Sequence, residues 1–202
     1  MDILFATGNL HKKEELDRIL APHRMILPSD LGINFYAEET GSTYLENALI
    51  KAQVLRRASL EAGKDLPVLA DDSGLSVPAL GGAPGVYSAR YGSDEAGRDL
   101  TSEERNALLL KNMAHLPEKD RGAFFVCCMV LMMDDYRVFT AQETFGGVIA
   151  SSPAGVGGFG YDPVFYLPSR GCSVAELADG EKDEISHRGL AGKQLLSLLS
   201  GL

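Results

Sequence analysis

The segment ILFATGNLHKKEELDRIL, residues 3–20, predicts a strand, a tight turn and a helix in immediate succession. Residues 3–6 are uniformly apolar, which is typical of a buried strand, and Thr7-Gly8-Asn9 supplies the turn. Residues 11–20 follow with a polar, amphipathic pattern of helical period. A strand that passes through a glycine turn into a helix favours an α/β fold.

Capping boxes predict the starts of two later helices. Thr43 and Glu46 form the first, in which each side chain caps the backbone N–H of the other residue. Thr101 and Glu104 form the second at the same spacing. Gly63 is expected to end the first of these helices, because glycine readily adopts the left-handed conformation found just after a helix.

The other predicted elements complete a mixed pattern. They are strands at residues 25–27 and 67–70, a long hairpin at residues 124–145, a last strand at residues 163–166 and a final helix at residues 189–199. Strands and helices alternate early and a hairpin comes late, which indicates a mixed sheet flanked by helices. We expect one globular domain over residues 1–202, whose 45% hydrophobic content suffices for a substantial core.

The acidic balance of the chain limits the partners that it attracts. Its formal net charge is −9 and its sequence pI is about 4.9, so its average surface repels a long polyanion. We therefore expect no nucleic-acid polymer among its partners. Any phosphate binding should be local and assisted by a metal ion.

Cysteine usage and hydropathy favour a cytoplasmic protein. The three cysteines include the adjacent pair Cys127 and Cys128 in an apolar run, without ligand-spaced histidines or paired CxxC motifs. This arrangement predicts reduced, structural thiols. The first residues lack the pattern of a secretory signal, and no segment is long and apolar enough to span a bilayer, so we expect no membrane association.

Carboxylates without neighbouring Cys or His form the first candidate site. Glu38 and Glu39 precede a predicted helix, and Asp71 and Asp72 are expected at the carboxyl end of a buried strand. Oxygen ligands of this kind suit Mg²⁺ rather than Zn²⁺, and a bound Mg²⁺ lowers the pKa of a water that a further carboxylate can deprotonate. The two glutamates are equally explained as solvated acids near a helix start.

Two segments offer positive charge for phosphate. The turn at residues 7–9 opens onto a helix N-terminus, whose N–H groups suit an anion, and Lys12 adds a positive charge. A plain strand-to-helix turn uses the same residues for backbone geometry alone. Asn47 and Lys51 share one face of a predicted helix, where Lys51 would reach phosphate oxygens or the two would form an ordinary surface pair.

The tetrapeptide Phe159-Gly160-Tyr161-Asp162, the FGYD segment, combines two aromatic rings, a glycine and a carboxylate. Such residues stack on a nucleobase and contact its edge, but two core aromatics beside a turn have the same sequence. The overlapping run GVGGFG is similar to a dinucleotide fingerprint. Pro163 follows almost at once and no helical pattern opens there, so a Rossmann fold is excluded.

Motifs along nearly the whole chain resemble, in order and at similar spacing, those of the inosine triphosphate pyrophosphatase family of dITP/XTP diphosphatases. They are ATGNLHK (residues 6–12), AEETG (37–41), LADDSGL (69–75), GGAPGVYSARY (81–91), GGFGYDPVF (157–165) and ISHRG (185–189). The resemblance implies an elongated mixed sheet with two lobes, a nucleotide cleft between them and usually a homodimer. It also implies hydrolysis of ITP, dITP and XTP to the monophosphate and pyrophosphate.

The same resemblance implies roles for individual residues. Glu38 and Asp72 would bind Mg²⁺, and Asp72 would also activate the attacking water. The purine nucleoside triphosphate would be bound by the other motif residues, namely Thr7, Gly8, Asn9, Leu10, His11, Lys12, Ser73, Phe159, Gly160, Tyr161, Asp162, Lys182, His187 and Arg188. Glu39 and Asp71 stay open, because adjacent carboxylates exchange the roles of ligand, supporting group and base.

Asp183 departs from the family pattern, which more often has Asn after the lysine. An acidic residue at this position is expected to weaken the attraction of Lys182 for phosphate. Two other functions are compatible with the motifs, a Maf-like pyrophosphatase of other nucleotides and a non-catalytic nucleotide sensor. Substrate preference distinguishes the first, and binding without turnover distinguishes the second.

Overall fold

The computed structural model describes residues 1–201, so Leu202, the last residue of the predicted domain, lies outside the described residues. The β-strands in this part of the chain are β1 (Asp2–Phe5), β2 (Arg24–Ile26), β3 (Val68–Ser76), β4 (Gly122–Met132), β5 (Val138–Ile149), β6 (Phe165–Leu167) and β7 (Cys172–Ser173). The α-helices are α1 (Leu10–Ile19), α2 (Tyr44–Glu61), α3 (Ser93–Ala96), α4 (Ser102–Asn112), α5 (Asp179–Ile185) and α6 (His187–Leu199). Within residues 1–201, none of the helices has the length and apolar character needed to cross a membrane.

The strands form a mixed sheet in the order β2-β1-β3-β4-β5-β6-β7. β1 pairs in parallel with β2 and with β3, whereas β6 pairs antiparallel with β5 and with β7. Parallel neighbours need a crossover connection, and α1 and α2 lie in the two crossovers that join β1, β2 and β3. The predicted α/β fold with a mixed sheet and flanking helices is confirmed.

The described chain divides into two compact units, of which the first contains Met1–Asp72, Cys127–Glu143 and the C-terminal stretch from Asp183. Its core lies on both faces of β1, because successive side chains of a strand point in opposite directions. Ile3 and Phe5 pack with side chains of α1 and α6, whereas Leu4 packs with side chains of α2. Since both faces are covered from Ile3 onward, this part of the strand has no polar face, which explains why residues 3–6 are uniformly apolar.

The second unit contains Ser73–Val126 and Thr144–Lys182. An aromatic cluster joins three of its strands. The ring centroid of Phe165 on β6 lies 4.6 Å from that of Phe125 on β4 and 5.7 Å from that of Phe145 on β5. These tilted contacts add to the energy of the buried ring area.

Both predicted capping boxes are present. At the start of α2 the Thr43 hydroxyl accepts a hydrogen bond from Glu46 N–H at 3.2 Å, and the Glu46 carboxylate accepts one from Thr43 N–H at 3.1 Å. Thr101 and Glu104 repeat this exchange at the start of α4. Gly63 has a φ of 69° just after α2, so the predicted end of that helix is also confirmed.

Several strand boundaries differ from the prediction, and the largest difference is in β3. β3 continues beyond residues 67–70, through both aspartates, to Ser76. Asp71 and Asp72 therefore lie inside a strand rather than beyond its end, which is tolerated because cationic side chains pair with them. In addition, β7 follows β6, so the strand predicted at residues 163–166 is not the last one.

α5 and α6 meet at a tight corner. The Ser186 hydroxyl caps α6 by accepting a hydrogen bond from Gly189 N–H at 3.1 Å. A Cβ at Gly189 would overlap the carbonyl oxygen of Asp183 on α5. The glycine of the ISHRG motif is thus required for close approach of the two helices.

Gly189→Ala should destabilise the protein by about 1–3 kcal/mol, because its methyl group overlaps main-chain atoms that cannot change rotamer. Gly180→Ala on α5 is the control, since a Cβ there meets nothing within 4 Å and alanine has the higher helix propensity. Urea unfolding followed by circular dichroism measures both free energies of unfolding. Equal midpoints for the two variants would contradict the close contact.

Candidate active site

The two aspartates of β3 lie in different surroundings, because adjacent side chains of a strand point to opposite faces. Asp71 contacts side chains of α1, β4 and α6, whereas Asp72 contacts side chains of α2. Both residues are buried, at 2% and 5% exposed. One pair of neighbouring carboxylates therefore has two different charge environments.

Asp71 is the centre of a buried ion-pair cluster. Its carboxylate accepts hydrogen bonds from Lys12 Nζ, from Arg188 Nε at 3.0 Å and from the Cys127 thiol at 3.2 Å. Burial by itself raises the pKa of Asp71, but the charges of Arg188 and Lys12 together hold it well below its usual range. Asp71 is therefore a permanent anion and is poorly suited to accept a proton.

Arg188 extends this cluster to a second carboxylate. Its Nη1 donates a hydrogen bond to Glu15 on α1 at 2.5 Å. Burial lowers the pKa of Arg188, but Asp71 and Glu15 raise it by more, so the guanidinium stays charged. At 2% exposed, Arg188 has its observed ion pairs inside the protein, and its contact with substrate stays a prediction.

Asp72 is held by the ammonium group of Lys51. Lys51 Nζ donates to its Oδ1 at 2.7 Å, and Asn47 Nδ2 lies 3.5 Å from its Oδ2. Burial raises the pKa of Asp72 above its usual value, and the attraction of Lys51 only partly opposes this effect. A carboxylate with a raised pKa is a stronger base, so Asp72 is the aspartate suited to accept a proton.

Asn47 and Lys51 are buried beside Asp72, so the interpretation of them as an ordinary surface pair is wrong. They are 0% and 8% exposed. Lys51 Nζ also donates to Glu39 at 2.9 Å, and Asn47 Oδ1 accepts from Gly41 N–H at 2.8 Å. Through these two side chains, α2 links the acidic AEETG loop to Asp72. The i, i+4 spacing of Asn47 and Lys51 predicted that they share one face of α2. It could not show that this face lies against Asp72.

Carboxylates are the groups that could hold a metal ion. Asp72 is buried, Glu39 pairs with Lys51, and Glu38 is exposed. Within residues 1–201, no cluster of three or more Asp, Glu, His or Cys side chains could bind a metal. The described residues thus form no closed cage of protein ligands around a metal ion.

The turn predicted to bind phosphate is ordered by its own side chains. Asn9 caps α1, and its Oδ1 accepts from the N–H groups of His11 and Lys12 at 3.0 and 3.3 Å. Thr7 Oγ1 accepts from Asn9 N–H at 3.0 Å. A Cβ at Gly8 would meet nothing within 4 Å, so open space adjoins the turn. Its positive charge is the Lys12 ammonium, which is paired with a buried aspartate.

The FGYD segment of the second unit is fixed by a lysine and a tyrosine. Asp162 Oδ2 accepts from Phe159 N–H at 2.8 Å and from Lys182 Nζ at 2.7 Å. Lys182 Nζ also lies 4.7 Å from the centroid of the Phe159 ring. Tyr161 is 4% exposed and donates its hydroxyl to the carbonyl oxygen of Ser88 at 2.9 Å. Phe159 is only half-buried and retains surface for a ligand.

The predicted site residues are distributed over both units. The first unit contains Thr7, Gly8, Asn9, Leu10, His11, Lys12, Glu38, Asp72, His187 and Arg188, and the second contains Ser73, Phe159, Gly160, Tyr161, Asp162 and Lys182. Lys12 and Arg188 meet at Asp71, and Lys182 meets Asp162. The contact of all these residues with one substrate stays a prediction.

A sequence profile of the Ham1 family matches residues 3–198. This chain belongs to the Ham1 family. The dITP/XTP pyrophosphatase of Treponema denticola is 48% identical over 191 residues, which cover 95% of this chain and 94% of that protein. That of Escherichia coli K12 is 43% identical over 201 residues, which cover 98% and 97%. The solved structure of a HAM1 protein from Coxiella burnetii superimposes with a TM-score of 0.84 at 40% identity and covers 100% of both chains.

Asp183 has an ion-pair partner in this Ham1 chain. Its carboxylate accepts hydrogen bonds from Arg18 Nε at 2.6 Å and from Arg18 Nη2 at 3.2 Å. Lys182, next to it in sequence, pairs with Asp162 instead. The acidic side chain therefore joins α5 to α1 through a bidentate ion pair.

In this Ham1 chain Asp71→Asn should destabilise the fold by about 3–5 kcal/mol. Arg188 and Lys12 both pair with the buried Asp71 carboxylate, and the substitution removes its negative charge. Asp2→Asn is the control, since it removes the partner of Arg24 from an exposed ion pair and should change little. Urea unfolding at neutral pH compares the two. A wild-type midpoint for Asp71→Asn would show that the cluster does not anchor the unit.

Proposed function

We propose that this chain hydrolyses dITP, ITP and XTP to the nucleoside monophosphate and pyrophosphate, and so removes non-standard purine nucleotides from the nucleotide pool. Relatives that align over nearly the whole chain bear the name dITP/XTP pyrophosphatase. The observation that carries the proposal is the buried Asp72, whose pKa is raised and whose carboxylate is held by Lys51. A proton acceptor beside a cation suits attack by water on a phosphoryl group.

Mg²⁺ is the cofactor that fits the donors. It is bound in proteins by one or two carboxylates and completes its shell with water and substrate phosphates, so it needs no closed cage. The chain offers such oxygen ligands in Glu38 and Asp72, which would hold the ion. When bound, Mg²⁺ supplies a water of lowered pKa and neutralises phosphate charge.

The residues of the chain then divide the work of hydrolysis. Water attacks the α-phosphorus, the bond from this phosphorus to the bridging oxygen breaks, and pyrophosphate leaves with that oxygen. Asp72 accepts the proton that the water loses. Lys51 orients Asp72 and opposes the rise of its pKa. Lys12 adds positive charge for the triphosphate, and Asp71 fixes the position of Lys12.

Base selection follows from hydrogen-bonding chemistry. Hypoxanthine and xanthine present an acceptor at O6, which His187 or Arg188 would satisfy, whereas adenine presents an amino donor there. A buried donor that is left unpaired costs about 1–3 kcal/mol, which corresponds to roughly 5- to 150-fold in preference. Phe159 would stack on the base, and Lys182 and Asp162 would hold the ring in place.

The setting of the enzyme is also part of the proposal. Within the described residues no disulfide joins Cys127, Cys128 or Cys172, and reduced thiols of this kind are typical of cytoplasmic proteins. Burial raises the pKa of Cys128 to about 11, which keeps this thiol protonated at neutral pH. We also propose a homodimer, as the family resemblance implies, and light scattering of the purified protein gives the mass that tests it.

Pyrophosphate release from ITP, dITP and XTP should exceed release from ATP by at least about tenfold, and a chelator should abolish it. The panel is completed by GTP, dTTP and UTP, each measured with Mg²⁺ and with chelator. A broad profile would favour the Maf-like alternative. Binding of ITP without any turnover would favour the sensor.

Asp72→Asn should reduce turnover of ITP by at least about 100-fold while the protein stays folded, because the amide cannot accept the proton from water. Asp134→Asn in the turn between β4 and β5 is the matched control and should have wild-type activity. Steady-state kinetics and circular dichroism are measured on both variants. Retained turnover in folded Asp72→Asn would exclude Asp72 as base.

A further inference from the structure

Asn106 is a buried polar residue outside the proposed site. It lies on α4, is 5% exposed and donates its Nδ2–H to the carbonyl oxygen of Gly160 at 3.1 Å. Its Oδ1 is buried and has no hydrogen-bond partner within residues 1–201. An unmet buried acceptor reduces stability, and leucine has the same branched shape without a polar atom. The asparagine at this position is explained by its hydrogen bond to the Gly160 carbonyl rather than by a contribution to stability.

Gly160 is the residue of the FGYD segment whose backbone conformation is least restricted by its own side chain. Its φ of 64° lies in the left-handed region, and glycine changes backbone conformation at little cost. Its neighbours are fixed by their own groups, Phe159 N–H by Asp162 and Tyr161 by its buried hydroxyl. The hydrogen bond from Asn106 fixes the direction of the Gly160 carbonyl between them.

Fixing this carbonyl also fixes the main chain around it. The Gly160 carbonyl and the Tyr161 N–H belong to one planar peptide unit, so a rotation of one turns the other. A rotation about the Cα–C bond of Gly160 would also move Phe159, on one side of the glycine, relative to Asp162 on the other side, and Asp162 is the partner of both Phe159 N–H and the Lys182 Nζ that lies 4.7 Å from the Phe159 ring. The hydrogen bond from Asn106 thus restrains the Tyr161 N–H directly and restrains the position of Phe159 relative to Asp162 through the backbone of Gly160.

We propose that Asn106 is a positioning residue for recognition of the purine base. It holds the Gly160 peptide so that the Phe159 ring keeps the orientation that receives the base. This inference rests on the proposed function, because the base is that of a dITP/XTP-type substrate. Asn106 touches neither the triphosphate nor the reacting atoms in this role, so its loss changes substrate binding and base preference rather than the rate of the chemical step.

The test compares Asn106→Leu with Asn112→Leu. Asn112 lies on the same helix, is exposed and donates to the Tyr91 hydroxyl at 2.7 Å, so it controls for the loss of an asparagine from α4. In Asn106→Leu the KM for ITP should rise about 3- to 10-fold, with kcat within about twofold of wild type, and the preference for ITP over ATP should fall. The melting temperature should not decrease.

Hydrogen exchange provides a readout that does not depend on activity. Backbone amides of residues 159–162 should exchange faster in Asn106→Leu than in wild type or in Asn112→Leu. If Asn106→Leu does not fold, Asn106→Ala carries the same expectations for KM, base preference and hydrogen exchange, with a lower melting temperature because it leaves a cavity. Unchanged KM, preference and exchange in a folded variant would overturn the proposal, as would a parallel loss of kcat and melting temperature.

Failure of the proposed function gives a different result. If the wild-type protein does not hydrolyse ITP, the assignment of substrate is wrong, and hydrogen exchange alone decides whether Asn106 holds the segment. If the wild type is selective for ITP and Asn106→Leu is equally selective, the function stands and the positioning role is excluded.

Discussion

The buried charge of Asp71 is the constraint on which the first unit depends. A carboxylate that is removed from water must be surrounded by cations, and here these come from Lys12 on α1 and Arg188 on α6. The two helices are therefore tied to the same strand residue although they lie at opposite ends of the chain. Arg188 also pairs with Glu15, three residues from Lys12. α1 is therefore bound to this cluster through two residues on one face, Lys12 and Glu15. A phosphate group that approaches the N-terminus of α1 would meet a helix whose position is fixed electrostatically.

Asp71 and the neighbouring Asp72 have the same side chain but opposite pKa shifts, because a strand places them on opposite faces. Two cations offset the burial of Asp71 and keep it ionised, whereas Lys51 only partly offsets the burial of Asp72. Asp72, whose burial is less compensated by positive charge, is therefore the better base. The division of roles thus follows from how many positive charges each face of β3 receives, and the positive charges come from three different helices.

Local patterns in the sequence predicted the parts of the fold that depend on local physics. The capping boxes at Thr43 and Thr101 were found because their partners lie three residues away. The burial of Asn47 and Lys51 could not be found in this way, because it depends on an aspartate more than twenty residues distant in the chain. For the same reason the two aspartates could not be ranked. α5 escaped prediction because its sequence has few apolar residues to show a helical period.

The corner between α5 and α6 has a consequence for how the sequence can vary. Gly189 fits against the carbonyl oxygen of Asp183, a group that every amino acid possesses. The contact therefore sets no condition on the side chain at position 183, which is free to form its ion pair with Arg18. At position 189, in contrast, any side chain is an obstacle. One contact thus joins a tolerant position to an intolerant one, and only the second would leave a trace in an alignment.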